Sequence, residues 1–71
     1  MILGSLLIRD TGFGTRPYIK WEDGTEDDIH CGDVITLRDG REFRMEMSRD
    51  DRWYLVRYGY DIEGLICRKD D

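Results

Sequence analysis

Glycine-centred turn signals punctuate this 71-residue chain at short, fairly regular intervals. They fall at Gly12-Phe13-Gly14, Asp23-Gly24, Cys31-Gly32-Asp33, Asp39-Gly40, Tyr58-Gly59-Tyr60 and Glu63-Gly64. Short apolar runs separated by such turns argue for a sandwich or barrel. No helical period runs between them, and the chain has no alanine, the best helix former. The spacing predicts strands over 2–9, 17–22, 33–38, 41–48, 52–58 and 64–69.

Asp39-Gly40 is the strongest hairpin signal, because the tight turn between paired strands favours residues that tolerate positive φ. After it, Phe43, Met45 and Met47 alternate with Glu42, Arg44, Glu46 and Ser48, the period-2 pattern of a half-buried strand. In Arg52–Arg57, Trp53 and Leu55 share one face and Tyr54 and Val56 the other, as in a central strand. Pro17, the only proline, suits a strand start, where its missing N–H is harmless. The expected fold is all-β: one domain over residues 1–71, a small SH3-like barrel of five to six short antiparallel strands. Its expected core is Leu3, Leu7, Ile19, Val34, Phe43, Met45, Trp53, Leu55 and Leu65.

A chain this short buries only about 60% of the surface its unfolded form exposes. Such a core rarely supplies more than about 3–5 kcal/mol, so small scaffolds often carry a staple. One structural zinc ion is the candidate cofactor. His30, Cys31 and Cys67 offer the imidazole and thiolate that zinc prefers, and Asp33 is the leading fourth ligand, with Asp28, Asp10 or water as alternatives. Neighbours on a strand point to opposite faces, so His30 and Cys31 can ligate together only from an irregular loop, which Gly32 would permit. There is no Cys-x-x-Cys pair. The competing reading is two buried, inert thiols and a surface histidine. Met1–Ile8 is apolar but lacks a basic flank and is broken by Arg9 and Asp10, unlike a signal peptide. It is also far shorter than a membrane span. The expected location is the cytoplasm of a bacterial host, with no membrane partner and with thiols reduced.

Charge is unevenly placed. Through Asp33 the chain has seven acids and three bases; from Val34 onward it has nine acids and eight bases. The net charge of −5 argues against sequence-independent nucleic-acid binding, which needs Lys and Arg to neutralise phosphates. Arg38, Arg41, Arg44 and Arg52 are interleaved with acids rather than clustered. The acidic run Glu22, Asp23, Glu26, Asp27 and Asp28 suits a basic partner, such as a nucleic-acid-binding protein of the host. It would equally serve solubility. Trp21, Tyr54, Tyr58 and Tyr60 exceed what one small core can hide. Trp21, Tyr58 and Tyr60 beside the acidic run would form a contact patch, since Tyr and Trp serve as interface anchors. The competing reading is packing within the domain.

No catalytic constellation stands out. A Cys31 nucleophile with His30 as base has neither the required geometry nor an oxyanion hole. Asp27 and Asp28 read as solvated. Gly12-Phe13-Gly14 precedes no helix and so cradles no phosphate. The expectation is a protein that is not an enzyme.

Three later segments, Ile29–Leu37, Trp53–Val56 and Glu63–Arg68, resemble small Firmicute domains of unknown function found on phages, plasmids and conjugative elements. Those domains share a Gly-Asp strand start, a Trp-Tyr-Leu strand and a closing Gly-Leu-x-x-Arg strand. The match covers roughly the last forty residues. The first hairpin differs and the acidic run is extra. Size, acidity and that setting make the chain similar in type to anti-CRISPR proteins of phages infecting Firmicutes. The resemblance implies a monomeric or homodimeric inhibitor that binds a Cas9-type effector and blocks its DNA binding. Such an effector holds its heteroduplex in a positively charged channel, which an acidic protein can occupy. The alternative is an SH3-like structural or accessory interaction module of a plasmid or phage operon, with no defence target.

Overall fold

The computed structural model describes residues 1–70. Its described residues form seven antiparallel strands and no helix: β1 (Ile2–Asp10), β2 (Thr15–Trp21), β3 (Glu26–Asp28), β4 (Val34–Thr36), β5 (Glu42–Met47), β6 (Trp53–Leu55) and β7 (Ile66–Lys69). One sheet has the order β3-β2-β1-β7 and the other β4-β5-β6. A single bridge, Leu37 with Cys67, joins them, with the Arg38 amide donating to the Ile66 carbonyl at 2.9 Å. The Trp53 indole N–H, donating to the Thr15 carbonyl at 3.2 Å, ties β6 back to the start of β2.

The all-β expectation holds, with one strand more than predicted and with the strands after β2 shorter than their predicted spans. The Asp39-Gly40 turn forms, and β5 alternates as its sequence demands. The expected 52–58 strand stops at Leu55, because Val56–Tyr58 turn back to a Leu55–Gly59 bridge, with Arg57 at φ 72°. The acidic run supplies an unexpected strand, β3, whose backbone pairs with Tyr18–Lys20.

The core is Leu6, Ile19, Trp21, Ile29, Ile35, Leu37, Met45, Trp53, Leu55, Ile62 and Cys67. Ile19, Met45, Trp53 and Leu55 are where the pattern placed them, while Phe43 and Leu65 pack against the core from its margin. Leu3 and Leu7 are displaced to the outer face, because β1 turns Gly4 and Leu6 inward. Gly4 sits under the Trp21 ring: a Cβ there would lie 2.6 Å from Trp21 Cε3, 2.7 Å from Ile19 Cγ2 and 2.9 Å from the Lys20 carbonyl. Val34, also expected inside, is 60% exposed and Ile35 takes its place. The Gly32 amide donates to the Met45 carbonyl, and the Met45 amide to the Asp33 carbonyl. Two residues thus oppose one, a bulge that resets which side chains of β4 face inward.

Candidate interaction surfaces

The acidic run is an ordered sheet edge. Glu26, Asp27 and Asp28 are all exposed on β3, which has β2 on one side and, among the described residues, no strand on the other. Each neighbouring carboxylate has a defined local role. Asp23 accepts from the Thr25 amide at 3.0 Å and the Thr25 hydroxyl at 2.6 Å, closing the turn before β3. These bonds, the hydroxyl first, hold its carboxyl below the usual carboxylate range. Glu22 accepts from the Leu3 amide at 3.2 Å. Glu26 accepts from Arg9 at 2.8 Å, a bond that raises the guanidinium pKa, while Arg9 lies 3.8 Å from the centre of the Tyr18 ring. Asp27 accepts from the Trp21 indole at 2.8 Å and lies 3.9 Å from Lys69 Nζ.

Trp21 is therefore not the exposed anchor the sequence suggested. It is 5% exposed, packed over Gly4, with Lys69 Nζ 4.4 Å from its ring centre. Its position after an alternating Tyr-Ile-Lys stretch puts it on the inward face of β2. Tyr58 and Tyr60 are exposed but follow β6, in the other sheet from β3. Tyr58 packs edge-on against Phe43 at 5.4 Å, and Tyr60 on Tyr54 at 5.1 Å with Arg52 4.3 Å from its centre. The single patch of Trp21, Tyr58, Tyr60 and acids is thus divided: the carboxylates hold one sheet edge and the tyrosines the loop after β6.

Of the four leading zinc ligands, the structure brings together His30 and Asp33. The Asp33 carboxylate lies 3.6 Å from His30 Nδ1 and accepts the His30 amide at 2.8 Å. This bond shapes the turn before β4. Cys67 faces inward from β7 with no exposure, its thiol pushed up to about 11 by burial. Cys31 is an exposed free thiol beside a cleft lined by Thr15, Arg16, Met47 and Trp53. Among the described residues no three His, Cys, Asp or Glu side chains converge.

The sequence reading missed a second surface, because its residues come from three strands and the segment after β4. Antiparallel register sets Lys20 of β2 opposite Ser5 of β1, and Ser5 opposite Ile66 of β7. Arg38, just past β4, lies beside Ile66 through the bond that joins the sheets. All four are flanked by buried neighbours and so point outward: Gly4 and Leu6, Ile19 and Trp21, Cys67, and Leu37.

These strands, turns and surfaces extend from the first hairpin to the end of β7. The model of a family described as a domain of unknown function, DUF5348, matches residues 11–69. The chain belongs to that family. The match begins after β1 and takes in the first turn, β2 and the acidic edge, more of the chain than the late motifs alone cover. No curated protein and no solved structure matches this DUF5348 domain. None of its described residues forms a helix long and apolar enough to cross a membrane.

Proposed function

We propose that this DUF5348 domain is a non-enzymatic binding module whose acidic edge docks on a basic protein. In the mobile-element setting that its motifs resemble, the partner is a nucleic-acid-handling protein of the host. A Cas9-type effector whose DNA binding is blocked is the most specific form of this reading. The observation that supports it is the fixing of Glu26 and Asp27 on β3 and of Asp23 in the preceding turn, so that little conformational freedom is lost on docking. Carboxylates on a rigid edge can stand in for phosphates against Lys and Arg, giving steering and register more than raw affinity. The inward-leaning Asp27 also guards the edge against pairing with another chain, a role compatible with docking.

The test replaces Glu22→Gln, Glu26→Gln and Asp28→Asn together. Asp23 and Asp27 stay, because they hold the turn and Trp21. Affinity for a guide-loaded Cas9-type nuclease, measured by biolayer interferometry across a salt series, should fall by about tenfold, with a flatter salt dependence. Unchanged affinity at low salt refutes the acidic-edge reading. The accessory-module alternative draws its support from the outward row on the other surface.

A further inference from the structure

The row Lys20–Ser5–Ile66–Arg38 crosses four adjacent chain segments in one register. It lies along two shallow grooves that share Arg38 and Ile66. One, of about 270 Å³, is lined by Leu3, Ser5, Lys20, Glu22, Arg38 and Ile66. The other, of about 480 Å³, runs on to Leu65 and Tyr58. Neither Lys20 nor Arg38 has an ion-pair partner among the described residues. Two acids border the grooves, Glu22, which accepts from the Leu3 amide, and Asp39, which is paired with Arg41 at 2.6 Å; Glu26, opposite Lys20, is paired with Arg9. Ile66 and Tyr58 are each 38% exposed, an apolar floor and an aromatic end.

We infer that this track is a docking site for an extended acidic peptide of a partner protein, whose carboxylates meet Lys20 and Arg38 while an apolar side chain lies on Ile66. This goes beyond the acidic-edge reading, which uses the neighbouring edge: Lys20 lies opposite Glu26, and Glu22 borders the first groove. Charge complementarity and spacing point to this occupant. Three inter-strand steps of about 4.8 Å separate Lys20 from Arg38, about 14 Å, which an extended peptide covers in about four residues. Alternate side chains of such a peptide face the same way, so the fitting pattern is acid, any, apolar, any, acid, any, aromatic. The aromatic residue falls near Tyr58. Nucleic acid fits less well. Its phosphates repeat about every 3.4 Å per strand, whereas the track offers two widely spaced cations with Ile66 between them on a chain of net charge −5.

The probe is the fluorescein-labelled peptide Ser-Glu-Ser-Leu-Ser-Glu-Ser-Tyr, titrated with the full chain at low salt and followed by anisotropy. Saturable binding is expected, weakened about tenfold by either Lys20→Glu or Arg38→Glu. It should also be weakened by moving the two glutamates next to each other. Both substitutions are at exposed positions, and unfolding midpoints matching the parent confirm that the fold survives. In an amide chemical-shift map of the parent, Ser5, Ile66 and Arg38 should move together. No saturation by about 1 mM overturns the assignment. So does indifference to either charge reversal, or tighter binding of a single-stranded oligothymidylate than of the peptide. Arg38→Glu separates this assignment from the acidic edge, because Arg38 lies past β4, whereas Lys20 lies opposite Glu26 and its reversal adds a charge beside that edge.

Discussion

Replacing Gly4 with alanine tests how the inward phase of β1 is set. Alanine would place a methyl group 2.6 Å from the Trp21 ring, 2.7 Å from Ile19 and 2.9 Å from the Lys20 carbonyl. Two of these neighbours are buried side chains and the third is backbone of the paired strand, so none can step aside freely. Overpacking of this kind costs about 1–3 kcal/mol, and three simultaneous contacts place Gly4→Ala at the upper end. Restricting the unfolded chain returns about 0.4–1 kcal/mol. The net loss is about 2 kcal/mol. Set against the few kcal/mol that a core of this size supplies, that removes about half the stability. In urea, with a slope of about 1 kcal/mol/M for a small domain, the midpoint should fall by about 2 M. Tryptophan emission during the same titration reports whether the Trp21 ring has moved, and with it the Asp27 bond that steadies β3. Combining Gly4→Ala with Trp21→Phe should cost less than the sum of the single changes, because the smaller ring vacates the contested space. A Gly4→Ala protein as stable as the parent, or strict additivity with Trp21→Phe, would refute the reasoning.

Three further outcomes follow from the same geometry. Asp27→Ala removes the acceptor of the part-buried Trp21 indole and should cost about 1–2 kcal/mol in chemical denaturation, whereas Asp28→Ala should cost almost nothing. The buried Cys67 thiol keeps its proton in the folded state up to about 11, while the unfolded chain releases it near 9.0. Stability should therefore fall as pH rises from about 9 to about 11, by up to about 2–3 kcal/mol, with Cys67→Ala showing a flatter alkaline limb in the same urea series. Because only His30 and Asp33 of the candidate ligands meet, dialysis against a chelator should leave the thermal midpoint unchanged; a clear drop would implicate a thiol-bound metal.

The sequence announced those parts of the fold that rest on local chemistry. Asp39-Gly40 specified its hairpin, and the clean alternation of Phe43, Met45 and Met47 specified the inward face of β5. Where the pattern admitted two phases, contacts from distant residues decided. Leu3, Leu6 and Leu7 allow β1 to face either way, and only the Trp21 ring over Gly4 selects one. Val34 and Ile35 are equally apolar, and the bulge opposite Met45 chooses Ile35. The acidic run read as a solvated loop because its side chains have no strand preference. Its backbone nonetheless finds partners on Tyr18–Lys20, so tertiary pairing overrode propensity. Of the candidate sites, the exposed acids and tyrosines were visible as residue types. Their placement on separate sheets was not, and neither was a row assembled from residues 5, 20, 38 and 66.

The backbones of the two sheets meet at the Leu37–Cys67 bridge and the adjacent Arg38–Ile66 bond, with the Trp53–Thr15 bond and the shared core as further ties. A seam with so little backbone pairing relies on the core beneath it, and separating the halves would uncover that core. The Lys20–Ser5–Ile66–Arg38 row passes directly over the seam, with three of its members on one sheet and Arg38 on the other side. A ligand lying along the row would act as a rivet, resisting separation of the halves, so that occupancy and mechanical integrity of the domain would rise together.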